Sequence, residues 1–146
     1  MGAAALSIQR GAPGLFPDEL RGAEDIASHV RLLMQREHQP QKDDGNAIVD
    51  YLQEMVSWSA SLVEARTNCL LKREEAYATA LREALTVPNI SVTVARELAQ
   101  AKCARYFAAY DHIERLEAHL ARGVEAYRSI LSALKSERER QGYSGT

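Results

Sequence analysis

The chain is poor in the residues that most other fold classes depend on. Proline occurs four times and glycine eight times in 146 residues, and aromatic residues make up 6%. Collagen-like and proline-rich low-complexity organisation are thereby excluded, and a usage dominated by alanine, leucine, glutamate and arginine points to a helical bundle rather than a β-sandwich. There are two cysteines, Cys69 and Cys103. Both fall near apolar positions of expected helices, where a thiol behaves as a small hydrophobe. No disulfide framework is expected, and a reducing compartment is the better fit. The formal net charge of −2 gives no global attraction to nucleic acid or to an anionic membrane, so a polyanionic partner would need a local patch. No uncharged apolar stretch approaches the ~18 residues of a membrane span. The start from Met1 to Arg10 lacks a basic leader and a long apolar core, so it does not read as a secretory signal. Leu6 stands where a myristoylation motif needs Ser or Thr, and the sequon Asn89-Ile90-Ser91 matters only in a secreted chain.

What the chain does contain is helical periodicity. From about Ser91 to Gln141 there is no proline and one glycine. Ile113, Leu116, Leu120, Val124, Tyr127, Leu131 and Leu134 recur along this run at steps of three and four, which places them on one stripe of an α-helix. A helix of roughly 50 residues is ~75 Å long, longer than a compact domain of this size is wide. Such a rod buries its stripe only against another long helix, another copy of itself, or both.

The remaining elements follow. Residues 1–15 read as a flexible leader punctuated by Gly11, Pro13 and Gly14. A first helix is expected over about 17–38, with Asp18 and Glu19 suiting its positive end and Leu20, Ala23, Ala27, Val30 and Met34 as its stripe. It must end before Pro40, since the residue preceding proline is pushed out of helical geometry. Asp43, Asp44 or Asn46 can cap a second helix over about 47–85, which carries Ile48, Leu52, Met55, Trp58, Leu62, Ala65 and Cys69 at helical spacing. Thr86–Asn89 is the break, short enough for an antiparallel pair of helices. Ser91 or Thr93 can cap the third helix, over about 91–140, and residues 142–146 should fray. The expected fold is all-α: one helical domain over 16–141, a long antiparallel hairpin with a shorter N-terminal helix, coiled-coil-like and oligomeric. The segment Met55–Val63 carries no charge on any face. It either lies centrally or forms a contact between copies. The residues expected to form the packing or oligomer seam are Met55, Trp58, Leu62, Ile113, Leu116, Leu120, Val124, Tyr127, Leu131 and Leu134.

Chemistry is harder to find. No Glu-x-x-His pair of the di-iron kind and no Cys-x-x-Cys is present, so no metal ligand set is assigned, and the i,i+4 pair Asp25 and His29 has a spacing common on helix surfaces. There is no nucleophile elbow, phosphate-cradling glycine loop or dinucleotide fingerprint. No catalytic residue and no cofactor are assigned, and the chain reads as a non-enzyme. The one pattern that merits weighing is cationic. Arg105, His112 and His119 are spaced by seven, as are Arg115 and Arg122, forming a band along one edge of the stripe. The band can grip a phosphate-bearing ligand, a nucleic-acid backbone or an acidic partner. The competing account, which is favoured, has it pairing with glutamates such as Glu64 or Glu75 on the facing helix. Tyr106, Phe107 and Tyr110 read as packing more readily than as base-stacking groups.

The third helix, in Ala101-Lys-Cys-Ala104, Ile113-Glu-Arg-Leu116 and Tyr127-Arg-Ser-Ile-Leu-Ser-Ala-Leu-Lys135, resembles small helical proteins encoded in bacteriophage genomes. The resemblance covers about the last third of the chain and implies a phage or prophage protein in the bacterial cytoplasm; it transfers no functional residue. The expectation is a homo-oligomeric interaction protein that binds a host or phage macromolecule and no membrane. Three rivals stay open: a nucleic-acid accessory factor for replication or recombination, a protein sequestering a small phosphorylated ligand at a subunit seam, and a virion component.

Overall fold

The computed structural model describes residues 16–144, and no strand occurs among them. Four α-helices follow in order: α1 (Arg21–Leu33), α2 (Gly45–Leu85), α3 (Val92–Lys102) and α4 (Ala104–Ser144). Single 3-10 turns at Asp18–Leu20 and Arg36–His38 flank α1. The leader expected over residues 1–15 lies outside the described residues.

The helix boundaries have local causes. Asp44 caps α2 by accepting from the Ala47 amide at 3.1 Å, and Ser91 caps α3 by accepting from the Val94 amide at 3.1 Å. Each satisfies one of the amides that a helix start leaves without an internal partner. Between α2 and α3, Asn89 takes a left-handed conformation (φ 61), which asparagine tolerates better than most residues. The first helix is shorter than the expected 17–38. Its α-helical part stops at Leu33, and Gln35 and Gln39 are extended, the latter forced by Pro40. The exposed carbonyls at this end are taken up by side chains. The Gln39 amide donates to Met34 O at 3.1 Å, and the Tyr51 hydroxyl of α2 donates to Leu33 O at 2.7 Å.

The third helix expected over about 91–140 is two helices, broken at Cys103 (φ −101, ψ 12). The backbone ladder does not open there. The Cys103 amide is shared between Ala99 O and Gln100 O, and Phe107 N still reaches Cys103 O at 3.2 Å. Side-chain size accounts for the bend. Helix α3 meets α2 through Ala80, Ala99 and Cys103, whereas α4 meets it through Ile113, Leu116 and Leu120. Small contact residues bring helix axes closer than large ones, so one straight rod cannot serve both contacts. At the other end α4 runs on to Ser144, beyond the expected end near 140.

Helix α2 is central and touches each of the other three. Its contacts with α4 run in opposite order along the two helices. Tyr51 meets Tyr127 edge-on at 5.1 Å, Met55 abuts Gly123, Arg66 pairs with Glu117 at 3.4 Å, and Tyr77 meets Phe107 at 6.3 Å. Helix α1 also runs against α2, with His29 stacked on Trp58 at 5.2 Å. Leu20, Ile48, Met55, Leu62, Ile113 and Leu120 are wholly enclosed. Each such side chain contributes about 1.5–3 kcal/mol relative to exposure.

Candidate functional site

Helix α4 carries the five residues of the cationic band, and the structure divides them. Arg105 donates from Nη2 to the Phe16 carbonyl at 2.7 Å, so it holds the segment preceding α1. His112 is half-buried; its Nε2 contacts the Arg31 guanidinium, and its ring meets the Phe16 ring edge-on at 5.9 Å. Arg31 also donates to the Ser28 hydroxyl at 3.1 Å. Burial and the neighbouring charges of Arg31 and Arg115 hold the His112 pKa below its ordinary value. Neutral His112 therefore accepts from Arg31. Arg115, His119 and Arg122 are exposed. Among the described residues no hydrogen bond or ion pair to any of the three is present.

The pairing expected with Glu64 or Glu75 does not form. Within the band, His112 contacts α1 through Arg31, and Arg105 reaches the segment before α1. Glu75 accepts instead from Lys72 at 3.5 Å, and Glu64 lines a groove between α1 and α2. The ion pair that does cross from α2 to α4 is Arg66 with Glu117. Nothing in the sequence links Arg31 to a histidine 81 positions away. Of the aromatic group, Phe107 and Tyr110 flank the Arg73 guanidinium at 4.9 and 4.6 Å, and Tyr106 donates to Glu19. All three are engaged in intramolecular contacts. The ten expected seam residues lie in the core or packed against it within the single chain.

The surface is unevenly apolar. Among the described residues ten large hydrophobic side chains are exposed, and all fall between Val49 and Leu98, on α2, the following turn and α3. None is on α1 or α4 among the described residues. They form two groups. One lies at the α2–α3 end: Leu85, Val87, Val92, Val94 and Leu98. The other runs along α2: Val49, Val56, Val63, Leu70 and Leu71, exposed by 37, 47, 43, 37 and 56%. The segment Met55–Val63 is thus split by the fold, with Met55 and Leu62 enclosed and Val56, Ser57, Ala60 and Val63 on the surface.

Two concavities are relevant. An apolar groove of about 530 Å³ between α1 and α2 is lined by Gly22, Ala23, Ile26, Ala65, Thr67 and Leu71, among others. A cleft of about 360 Å³ where α2, α3 and α4 meet contains Lys72, Glu75, Glu83, Lys102, Cys103 and Tyr106. Its charges answer one another, through Lys72 with Glu75 and Lys102 with Glu83. Burial pushes the Cys103 thiol up and Cys69 to about 11, which keeps both protonated and unreactive near neutrality. Glu19 pushes the Tyr106 hydroxyl up to about 12. Among the described residues no group of three or more His, Cys, Asp or Glu stands together as a metal site, and no helix is long and apolar enough to cross a membrane. No protein-family model matches the chain, and neither does any curated protein or solved structure.

Proposed function

We propose that the chain is a non-enzymatic interaction protein that holds a protein partner on the surface of its helical bundle and associates with its own copies. One observation carries this reading: among the described residues the exposed large hydrophobics all fall on α2, the α2–α3 turn and α3. Scattered surface leucines and valines need no explanation, but a contiguous group marks an interaction site. The end formed by Leu85, Val87, Val92, Val94 and Leu98 suits the apolar face of a foreign protein. The resemblance of the C-terminal run to phage-encoded helical proteins supports a host or phage protein as that partner, in the bacterial cytoplasm.

A second reading rests on Arg115, His119 and Arg122, exposed on one edge of α4 and, among the described residues, without an ion-pair partner. It has the chain binding a polyanion such as nucleic acid, with an affinity that falls steeply with salt. Capture of partners from a bacterial lysate separates the two. The double variant Val94→Asp and Leu98→Asp should lose the captured protein, while Arg115→Ala with Arg122→Ala should keep it. If the arginine variant alone loses the partner, and the loss is reproduced by added salt, the polyanion reading replaces the first.

A further inference from the structure

Helix α1 carries a cation that meets no carboxylate among the described residues. The Arg31 side chain is half-buried, and a guanidinium drawn into a protein ordinarily pairs with an acid. Its two partners here are uncharged. The Ser28 hydroxyl accepts from Nη2 at 3.1 Å, and Nε2 of neutral His112 accepts from Nη1. Ser28 is itself buried, and its hydroxyl donates to the Glu24 carbonyl at 3.0 Å, so it holds the guanidinium in place. Of the five N–H groups of an arginine, two are thereby used and three remain. Arg115, one turn beyond His112 on α4, supplies a second cation. It is exposed, and its charge acts on the imidazole together with that of Arg31.

We propose that Arg31, His112 and Arg115 form an oxyanion site at the α1–α4 seam, suited to a phosphoryl group, in which His112 takes up a proton as the anion enters. The inference goes beyond both readings above. Apolar docking lies at the α2–α3 end, and the polyanion reading uses neither Arg31 nor His112.

The charges around His112 favour an anion. From α1 it faces Arg31, and from the segment before α1 it faces the uncharged Phe16 ring. On α4 itself stand Arg115 and, one heptad back, Arg105, which is bonded to the Phe16 carbonyl. The acids of this side are Glu19, Glu24, Asp25 and Asp111. Glu19 accepts from Tyr106. Among the described residues no acid forms an ion pair with Arg31 or Arg115. Two guanidinium groups match the paired oxygens of a phosphoryl group, whose two charges they offset; a carboxylate brings one charge.

The proton follows from the same contacts. Burial and the two arginines hold the His112 pKa down. Without an anion, a proton on Nε2 would point at an Arg31 N–H, donor against donor. An oxyanion set between the two accepts from both and cancels the repulsion that keeps the imidazole neutral. Anion and proton therefore assist each other by equal factors. The anion raises the His112 pKa, so affinity rises as pH falls through the imidazole range. It levels off once His112 is protonated without the anion.

The test is calorimetric titration of the full chain with sulfate, which stays doubly charged across this range. Sulfate should bind in the millimolar range and tighten by about tenfold between about pH 7.5 and about pH 5.5. His112→Gln should flatten this profile, and His119→Gln should leave it unchanged. Arg31→Gln keeps polar reach toward Ser28 and His112 without the charge, and should weaken binding by about tenfold or more. Arg115→Gln alters an exposed side chain, so it should fold normally and weaken binding likewise, which keeps the test open if Arg31→Gln unfolds. Inorganic phosphate and adenosine 5′-monophosphate, compared at one pH, then separate the sources. Equal affinity supports free phosphate, and tighter binding of the nucleotide supports a phosphorylated organic ligand. Absence of sulfate binding, an affinity that neither arginine variant changes, a flat wild-type profile, or acetate binding as tightly as sulfate overturns the site. A single-stranded oligonucleotide that binds equally to wild type and Arg31→Gln, while sulfate does not bind, assigns Arg115 to the polyanion reading and also overturns it. Partner capture at the α2–α3 end is untouched by any of these results.

Discussion

Removing the Tyr51 hydroxyl tests how the short first helix is fastened to the long second one. Tyr51 is buried, its hydroxyl donates to the Leu33 carbonyl at 2.7 Å, and its ring meets Tyr127 at 5.1 Å. Tyr51→Phe keeps the ring contact and deletes only the donor. Leu33 lies at the end of α1, where carbonyls have no partner within the helix. Leaving a buried acceptor unsatisfied costs about 1–3 kcal/mol, and allowing for some relaxation the expected loss is about 1–2 kcal/mol, which lowers Tm by about 3–6 °C in a domain of this size. The dependence on pH provides a second measurement. Burial, with Tyr127 and Glu54 adding to it, pushes the Tyr51 pKa from 10.0 up to about 12. A folded-state pKa above the unfolded one means that the folded state binds the proton more tightly. The hydroxyl's contribution is therefore complete below about pH 10 and is lost as pH rises through about 12. A shift of this size corresponds to about 2.7 kcal/mol at most. Urea unfolding followed by circular dichroism should thus show the wild type ahead at neutral pH, with the two chains converging between pH 10 and pH 12. Equal midpoints at neutral pH, or a constant gap up to pH 12, would refute the assignment of this hydroxyl as the fastening.

The other predictions concern the α2–α4 core. Leu120→Asp places an unpaired charge at a wholly enclosed position and should abolish cooperative thermal unfolding; a variant with wild-type Tm would mean that the inward face of α4 is misassigned. At Gly123 an added Cβ would lie 2.7 Å from the Met55 terminal methyl, which is the movable end of a flexible side chain. Gly123→Ala should therefore fall within about 1 kcal/mol of the wild type, the gain in helix propensity offsetting the displaced methionine, whereas Gly123→Leu should cost several times more; equal effects of the two by chemical denaturation would contradict this packing.

Much of the fold was legible because its signals are local. Helical spacing of Ile113, Leu116, Leu120 and Val124 requires only the chain's own periodicity, and all four are buried. Asp44 and Ser91 cap where a short polar side chain precedes a helical run. The break at Cys103 was not legible, because the backbone ladder continues through it and the cause is the difference between alanines on one neighbour and branched side chains on the other. The site was less legible than the fold. Spacing brought five cations to one edge of α4, but not the partners that divide them: Phe16 O for Arg105 and Arg31 for His112. Those contacts join residues more than 80 positions apart, and only the docking of α1 produces them.

The face of α2 left bare is a case of sequence pattern becoming informative once packing is known. Between Met55 and Val63 every position is apolar or a serine, so the sequence offers no charged back by which to orient the helix. Covering Met55 and Leu62 with α4 and α1 leaves Val56, Ala60 and Val63 outward, and only then does the seven-residue recurrence of Val49, Val56, Val63 and Leu70 stand out. Such a row does not run straight along an ideal helix. It drifts by about 20° per heptad, or about 60° from Val49 to Leu70. A flat surface laid along it meets the middle and loses the ends. A second helix that winds with it, in the left-handed sense that seven-residue spacing imposes, stays in register throughout.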